Sequence, residues 1–201
     1  MVYYIVFGVI FCFCLVVNFV MRSKLNKYFD VKTELSGFEA IKKFLSDTDK
    51  KDLYIVTTKD SISNYYDVSN RSIKLSNETF NEEDVVNVGL AILVCSDSVM
   101  GNAIINLRNK LYKYINYVIR LCFLLIILCF LIKEEQFCYA AIVVYVVLFV
   151  FSLLYFVMIS KNVDKVCDKC SKFGFGDEVS DVINILKYRE FSLYIETLFK
   201  F

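Results

Sequence analysis

The chemistry-bearing residues of this 201-residue chain are few and scattered. Residues 89–104, "GLAILVCSDSVMGNAI", begin as an apolar run and turn polar at Cys95-Ser96-Asp97-Ser98. Such a cluster on a helix could hold a nucleophile, a carboxylate base or a metal ligand. The chain has 0 His, which removes the commonest metal ligand and the usual general base near neutral pH. Ser96 and Ser98 also lack a suitably spaced Lys to activate them. Cys167 and Cys170 form a CxxC, a spacing shared by redox and zinc-binding pairs. A four-thiolate zinc site needs a second pair in a polar segment, and the sequence holds none, so this CxxC reads as structural. Asp67, Asp97 and Asp164, with Cys95, could build a carboxylate–thiolate metal site if the fold brought them together. Nothing in their spacing demands it.

The elements that must position these residues are mostly apolar. The chain is 57% hydrophobic and 16% aromatic, too apolar for an ordinary soluble domain. Its net charge is +1, and its Lys residues alternate with acids, which argues against a nucleic-acid partner. Residues 3–21, 115–132 and 138–159 are each long and apolar enough to span a bilayer. The first reads as an uncleaved anchor, since no A-x-A-like site follows it. Lys and Arg gather after span one, before span two and after span three. The positive-inside rule then puts the N-terminus outside, with the main polar domain and the C-terminus cytoplasmic. The expected organisation is an anchor (1–21), a cytoplasmic α+β domain (22–114) ending in a long helix (82–114), a two-helix hairpin (115–159) and an amphipathic helical tail (160–201). The bilayer is the first partner implied.

Within the polar part, Phe38, Ile41 and Leu45 share one face of a short helix over 36–46. Residues 52–58 read as a strand, and 61–76 as two strands around a turn at Ser69-Asn70-Arg71. Asn81 is the expected N-cap of the long helix, with Glu82, Glu83 and Asp84 in its first turn. Val88 to Cys95 is apolar all round and too short to span, so it must be buried in protein or lie on the bilayer. Asp97 is expected to be partly wet, where the helix emerges towards a basic membrane edge at Arg108, Lys110 and Lys113. In the tail, Val182, Ile185, Leu186 and Leu193 recur at helical intervals.

This order of elements resembles a bacterial family of membrane-bound neutral zinc metallopeptidases, over roughly residues 35–200. The family pattern L-S-D-H-Y-D-P…(R/K)-L-S is similar to Ile62-Ser63-Asn64-Tyr65-Tyr66-Asp67-Val68 followed by Lys74-Leu75-Ser76. Residues 102–116, "NAIINLRNKLYKYIN", resemble Y-A-P-L-x-L-R-S-x-L-V-P-x-x-N, with Leu107, Arg108, Leu111 and Asn116 in register. "FSLYIE" (191–196) resembles A-L-T-Y-V-A through Leu193 and Tyr194. The resemblance implies a fold that is mainly α and membrane-bound, with three transmembrane helices, a small cytoplasmic α+β insertion and a long zincin-like helix. It also implies HExxH chemistry, in which two His hold zinc and the Glu polarises its water.

The ungapped register places HExxH on Leu93, Val94, Cys95, Ser96 and Asp97. Leu93 and Asp97 stand at the two His positions and Val94 at the Glu. A slide of three residues gives Ser96, Asp97 and Met100, again with no ligand pair. A later acidic ligand stretch resembles Lys161-Asn162-Val163-Asp164, with Asn162 at the ligand position, and the pattern's His is Tyr65. On this reading the chain is not an enzyme. It is a pseudoenzyme with no cofactor where the family would bind zinc, acting as a membrane-anchored binding or regulatory protein for a protein partner or an active paralogue. Two other readings stay open: an active peptidase with acidic or thiol ligands, and a structural membrane protein.

Overall fold

The computed structural model describes residues 2–49, 53–59, 64–100, 103–133 and 135–199. Along them run α1 (Val2–Leu25), α2 (Gly37–Leu45), β1 (Tyr54–Thr58), β2 (Tyr65–Asp67), β3 (Ser72–Ser76), α3 (Asn77–Asn81), α4 (Val85–Met100), α5 (Ala103–Ile132), α6 (Glu135–Lys172), α7 (Asp177–Leu186) and α8 (Arg189–Phe199). The fold is mainly helical, with 3 helices long and apolar enough to cross a membrane: Tyr3–Leu25, Tyr114–Ile132 and Gln136–Lys172. The strands form one small mixed sheet in the order β1-β3-β2. β3 pairs parallel with β1 and antiparallel with β2, and the tight turn between β2 and β3 is completed by Arg71 at φ 48.

Local capping explains several element ends. Ser36 and Glu39 form a reciprocal capping box at the start of α2. The Ser76 hydroxyl accepts from the Thr79 amide and starts α3. Asn81 ends α3 and does not cap the long helix. Asp84 takes that role in α4, where its Oδ1 accepts from the Asn87 amide at 2.9 Å. α6 stops in a Schellman turn. The Phe175 amide donates to the Cys170 carbonyl, and the Gly174 amide to that of Ser171. Gly174 sits at φ 68, a conformation that carries a Cβ penalty in other residues. That turn reverses the chain so that α7 lies back on α4.

α4 is the centre of the polar half. It packs on α2, α3, α7, β2 and β3. Val88, Ala91, Ile92 and Cys95 are buried on its several sides, so its all-round apolarity is matched by protein, not lipid. α6, with 38 residues, extends about 57 Å at helical rise, well beyond the roughly 30 Å hydrocarbon thickness. Its C-terminal turns therefore leave the spanning region. Ile159, Val163, Val166 and Cys170 join the core built on α4.

Two expectations change. The helix expected over 82–114 consists of α4 and the opening turns of α5. The tail expected over 160–201 is three pieces: the end of α6, then α7 and α8. α8 packs back on the rest of the molecule, as the helical spacing of the tail predicts. Phe191, Tyr194 and Ile195 are buried among Ile10 and Cys14 of α1, Ile115 and Ile119 of α5 and Tyr145 of α6.

Gly37 meets the backbone of α3 so closely that a Cβ would overlap the Thr79 carbonyl oxygen, whereas Gly8 faces open space. Gly37→Ala is expected to cost about 1–3 kcal/mol and lower the thermal midpoint in detergent. Gly8→Ala should leave the midpoint unchanged or raise it. Equal midpoints for the two variants would contradict this packing.

Candidate functional site

Four helices deliver polar side chains to one buried point between the α4 core and the spans. Asp97 comes from α4, Arg108 and Asn109 from α5, Tyr155 from α6 and Glu190 from α8. Asp97 is 3% exposed and Arg108 4%. Arg108 grips Glu190 with two donors, Nη2 to Oε2 at 2.6 Å and Nε to Oε1 at 3.4 Å. Its guanidinium carbon lies 4.3 Å from the Tyr112 ring centroid and 4.7 Å from that of Tyr155. These ring faces favour a cation that water cannot reach. Asp97 Oδ2 accepts from the Tyr155 hydroxyl at 3.0 Å and from Asn109 Nδ2 at 3.3 Å. Arg108 Nη1 in turn donates to Asn109 Oδ1 at 3.2 Å, which couples the two carboxylates through one amide. Asp97 Oδ1 has no partner among the described residues.

Two acids, Asp97 and Glu190, meet Arg108 at this point, and Lys187 and Arg189 also line the space beside them. Burial is the largest influence on Asp97 and pushes its carboxyl up to about 6, against the lowering pull of Arg108, Tyr155 and Asn109. For Arg108, burial works against the charge, but Glu190 outweighs it and holds the pKa above the usual value. Beside them lies a cavity of about 20 Å³, lined in part by Asn64, Leu93, Val94 and Arg189. That is space for about one water molecule and too little for a peptide side chain.

Several sequence-matched positions meet here. Leu93, Val94, Asp97, Arg108 and Asn64 all line this cavity. Tyr65, at the pattern's His position, stacks on Tyr112 at 4.8 Å between ring centroids, next to buried Leu193. Two expectations are corrected. Asp97 is not a wet residue at an emerging helix end, and Arg108 is not a solvated membrane-edge charge. Both are sealed inside, because α8 and α6 close over them. Ile62 and Ser63 of the first pattern lie outside the described residues.

The other candidates are elsewhere. Asp67 pairs with Lys74 at 2.6 Å on the sheet and caps the turn amides of Ser69 and Asn70. Burial alone would raise its pKa, but the Lys74 and Asn70 donors outweigh that and hold it below the ordinary value. Asp164 is exposed on α6, and Asn162 donates to its own helix at the Met158 carbonyl. Cys95 is fully buried, and burial pushes its thiol pKa up, away from the reactive thiolate. Ser96 and Ser98 donate to the helix carbonyls of Leu93 and Cys95 at 2.7 and 2.6 Å. Cys170 is buried in the core, while Cys167 Sγ lies 3.7 Å from both the Ser180 carbonyl and Asn184 Nδ2. Both thiols are free.

Asn109, Tyr155 and Glu190 escaped the sequence reading. Tyr155 lies within the apolar run read as the third span, and nothing in the sequence singles out Glu190 except its place directly before the matched "FSLYIE".

Zinc can be tested against this donor set. Among the described residues, no group of three His, Cys, Asp or Glu could hold a metal ion. Leu93 and Val94 offer no donor, and Asp97, whose Oδ2 is engaged by Tyr155 and Asn109, is left without a second ligand from the matched positions. These residues do not fit zinc.

Removing one partner of the buried pair leaves the other charge uncompensated. Arg108→Met and Glu190→Leu should each cost about 3–5 kcal/mol, and the double variant distinctly less than their sum. Additive losses in detergent unfolding would mean the pair is not coupled. The unfolded chain loses the Asp97 proton near 3.8 and the folded protein near 6. The stabilising contribution of the protonated carboxyl is therefore full below 3.8 and lost as pH rises to about 6. Asp97→Asn, which resembles the protonated form, should be more stable than the parent at pH 8, on the order of 2–3 kcal/mol. The gap should close as pH falls from 6 towards 4, and a pH-independent gap would count against the assignment.

Residues 3–157 match the family described as "Putative neutral zinc metallopeptidase". The match reaches further towards the N-terminus than the resemblance over 35–200 and takes in α1. It ends within α6, before Asp164 and α8. No curated protein and no solved structure matches the chain. The match overturns the expectation that the chain is not an enzyme, because the family is one of peptidases. With about three-quarters of its length aligned, this chain belongs to the neutral zinc metallopeptidase family.

Proposed function

We propose that this family member binds an extended protein segment at the membrane face, in a binding or regulatory role, at β1, an outer strand of its small sheet among the described residues. On this reading residues 93–97 are the family's HExxH in altered form, and the site around Asp97 carries no resident zinc. The observation that carries the proposal is β1. It is an outer strand of the sheet, with Tyr54 73% and Val56 45% exposed. An edge strand offers unpaired backbone donors and acceptors, and its outward side chains select the partner. The ion-pair site supports this reading, since a cavity of about 20 Å³ is too small for a peptide side chain. Lys and Arg at the ends of the spans support an outside N-terminus with β1 and the C-terminus on the cytoplasmic side. The partner class is then a cytoplasmic or membrane protein, including an HExxH-bearing member of the same family.

A photocrosslinking residue at Tyr54 should give a discrete protein adduct in inside-out membrane vesicles and none in right-side-out ones. Val56→Lys, which blunts the edge with charge, should abolish it. Adducts that persist in Val56→Lys would rule out the edge, and adducts only in right-side-out vesicles would reverse the orientation. Stoichiometric zinc together with peptide cleavage lost in Asp97→Ala would replace the binding reading with a catalytic one.

A further inference from the structure

A second concavity lies outside the site above, where α1 leaves the spanning region and α7 crosses it. Its volume is about 640 Å³, within the roughly 300–1,000 Å³ typical of small-ligand sites. Its two halves differ in chemistry. Val16, Val17 and Val20 form an apolar wall that belongs to the first spanning helix. Val16 is 62% exposed, so this wall opens sideways. One to two helical turns further on, Lys24 and Lys27 reach the same concavity, and Lys187 enters it from the end of α7. The one carboxylate in the lining, Asp181, accepts a hydrogen bond from the Tyr28 hydroxyl at 3.2 Å. Among the described residues the lining therefore carries three cations and one acid, Asp181, with Glu178 close enough to act on Tyr28.

We propose that this groove is a binding site for an anionic phospholipid of the leaflet on the Lys-rich side. The acyl chain lies along Val16, Val17 and Val20, and the headgroup phosphate is held by Lys24, Lys27 and Lys187. Three physical points select this occupant. The apolar wall is part of a spanning helix, so a chain enters from the bilayer without crossing water. The cations sit at the end of that helix, at the depth where phosphates lie, and each basic side chain near an anionic surface adds attraction. A peptide segment is disfavoured because its backbone, placed along Val16 and Val17, would leave polar groups unpaired at hydrocarbon depth. Tyr28 and Tyr188 in the lining suit the interfacial level. The site lies apart from the sheet edge and does not use Asp97, although Lys187 lines both this groove and the Asp97 cavity.

The test uses the full chain reconstituted in bilayers of phosphatidylglycerol and phosphatidylcholine, extracted in mild detergent and weighed intact by native mass spectrometry. The parent should retain phosphatidylglycerol in preference to phosphatidylcholine. Lys24→Gln/Lys27→Gln/Lys187→Gln should reduce that retention by at least about tenfold. Lys161→Gln/Lys165→Gln/Lys172→Gln removes the same charge at the end of α6 and should retain lipid like the parent. Val17→Trp fills the groove with the lysines intact and should also lose the lipid. Equal retention in all three variants, equal loss in the two lysine triples, or no preference for phosphatidylglycerol in the parent would overturn the proposal. If a groove variant aggregates, the Lys24→Arg/Lys27→Arg/Lys187→Arg protein serves in its place. It keeps the charge and should keep the lipid, and loss there would also overturn the proposal.

Discussion

The Arg108–Glu190 pair is the constraint around which the rest of the molecule closes. Two charges out of water are tolerated only with good geometry and with every remaining donor engaged. Arg108 is held by a two-pronged grip on Glu190, by two tyrosine faces and by the Asn109 side-chain oxygen. Each of these comes from a fixed place on α5, α6 or α8, so satisfying one guanidinium positions three helices. Asp97 adds α4 as the fourth. Burial raises its carboxyl towards about 6, against the lowering pull of Arg108, Tyr155 and Asn109.

This junction also joins two kinds of interior. Above it, the core on α4 is closed by α2, α7 and β3. Below it, α1, α5, α6 and α8 pack by aromatic edges, as where Tyr194 meets Tyr145 and Phe149. α6 belongs to both because it is longer than a bilayer is thick. α8 belongs to both because Glu190 and Tyr194 sit on one short helix, the first on Arg108 and the second beside Ser152 at 2.9 Å.

The family scaffold is visible in how distant positions gather. Asn64, Leu93, Val94, Asp97 and Arg108 share one small cavity although they span 45 residues of chain. Arg108 was legible as a motif residue, but a lone sequence reads a Lys- and Arg-rich stretch before a span as a solvated edge. Glu190, Tyr155 and Asn109 carried no such label. Their role exists only once α8 returns to a helix 82 positions earlier. Asp67 and Asp164 looked equivalent to Asp97 by residue type, and the fold separates them onto a sheet turn and an exposed helix face.

Local and compositional physics is what the chain determined by itself. Runs of apolar residues long enough for a bilayer, an all-round apolar stretch at 88–95 and turn residues at 69–71 each specify their element without help from the rest. The 0 His count and the residues at 93–97 likewise stand in the sequence alone. Tertiary structure decided which polar groups became buried partners and how the tail entered the bundle. Those outcomes depend on long-range burial. A charge is exposed or sealed according to what packs over it, and no spacing along the chain encodes that.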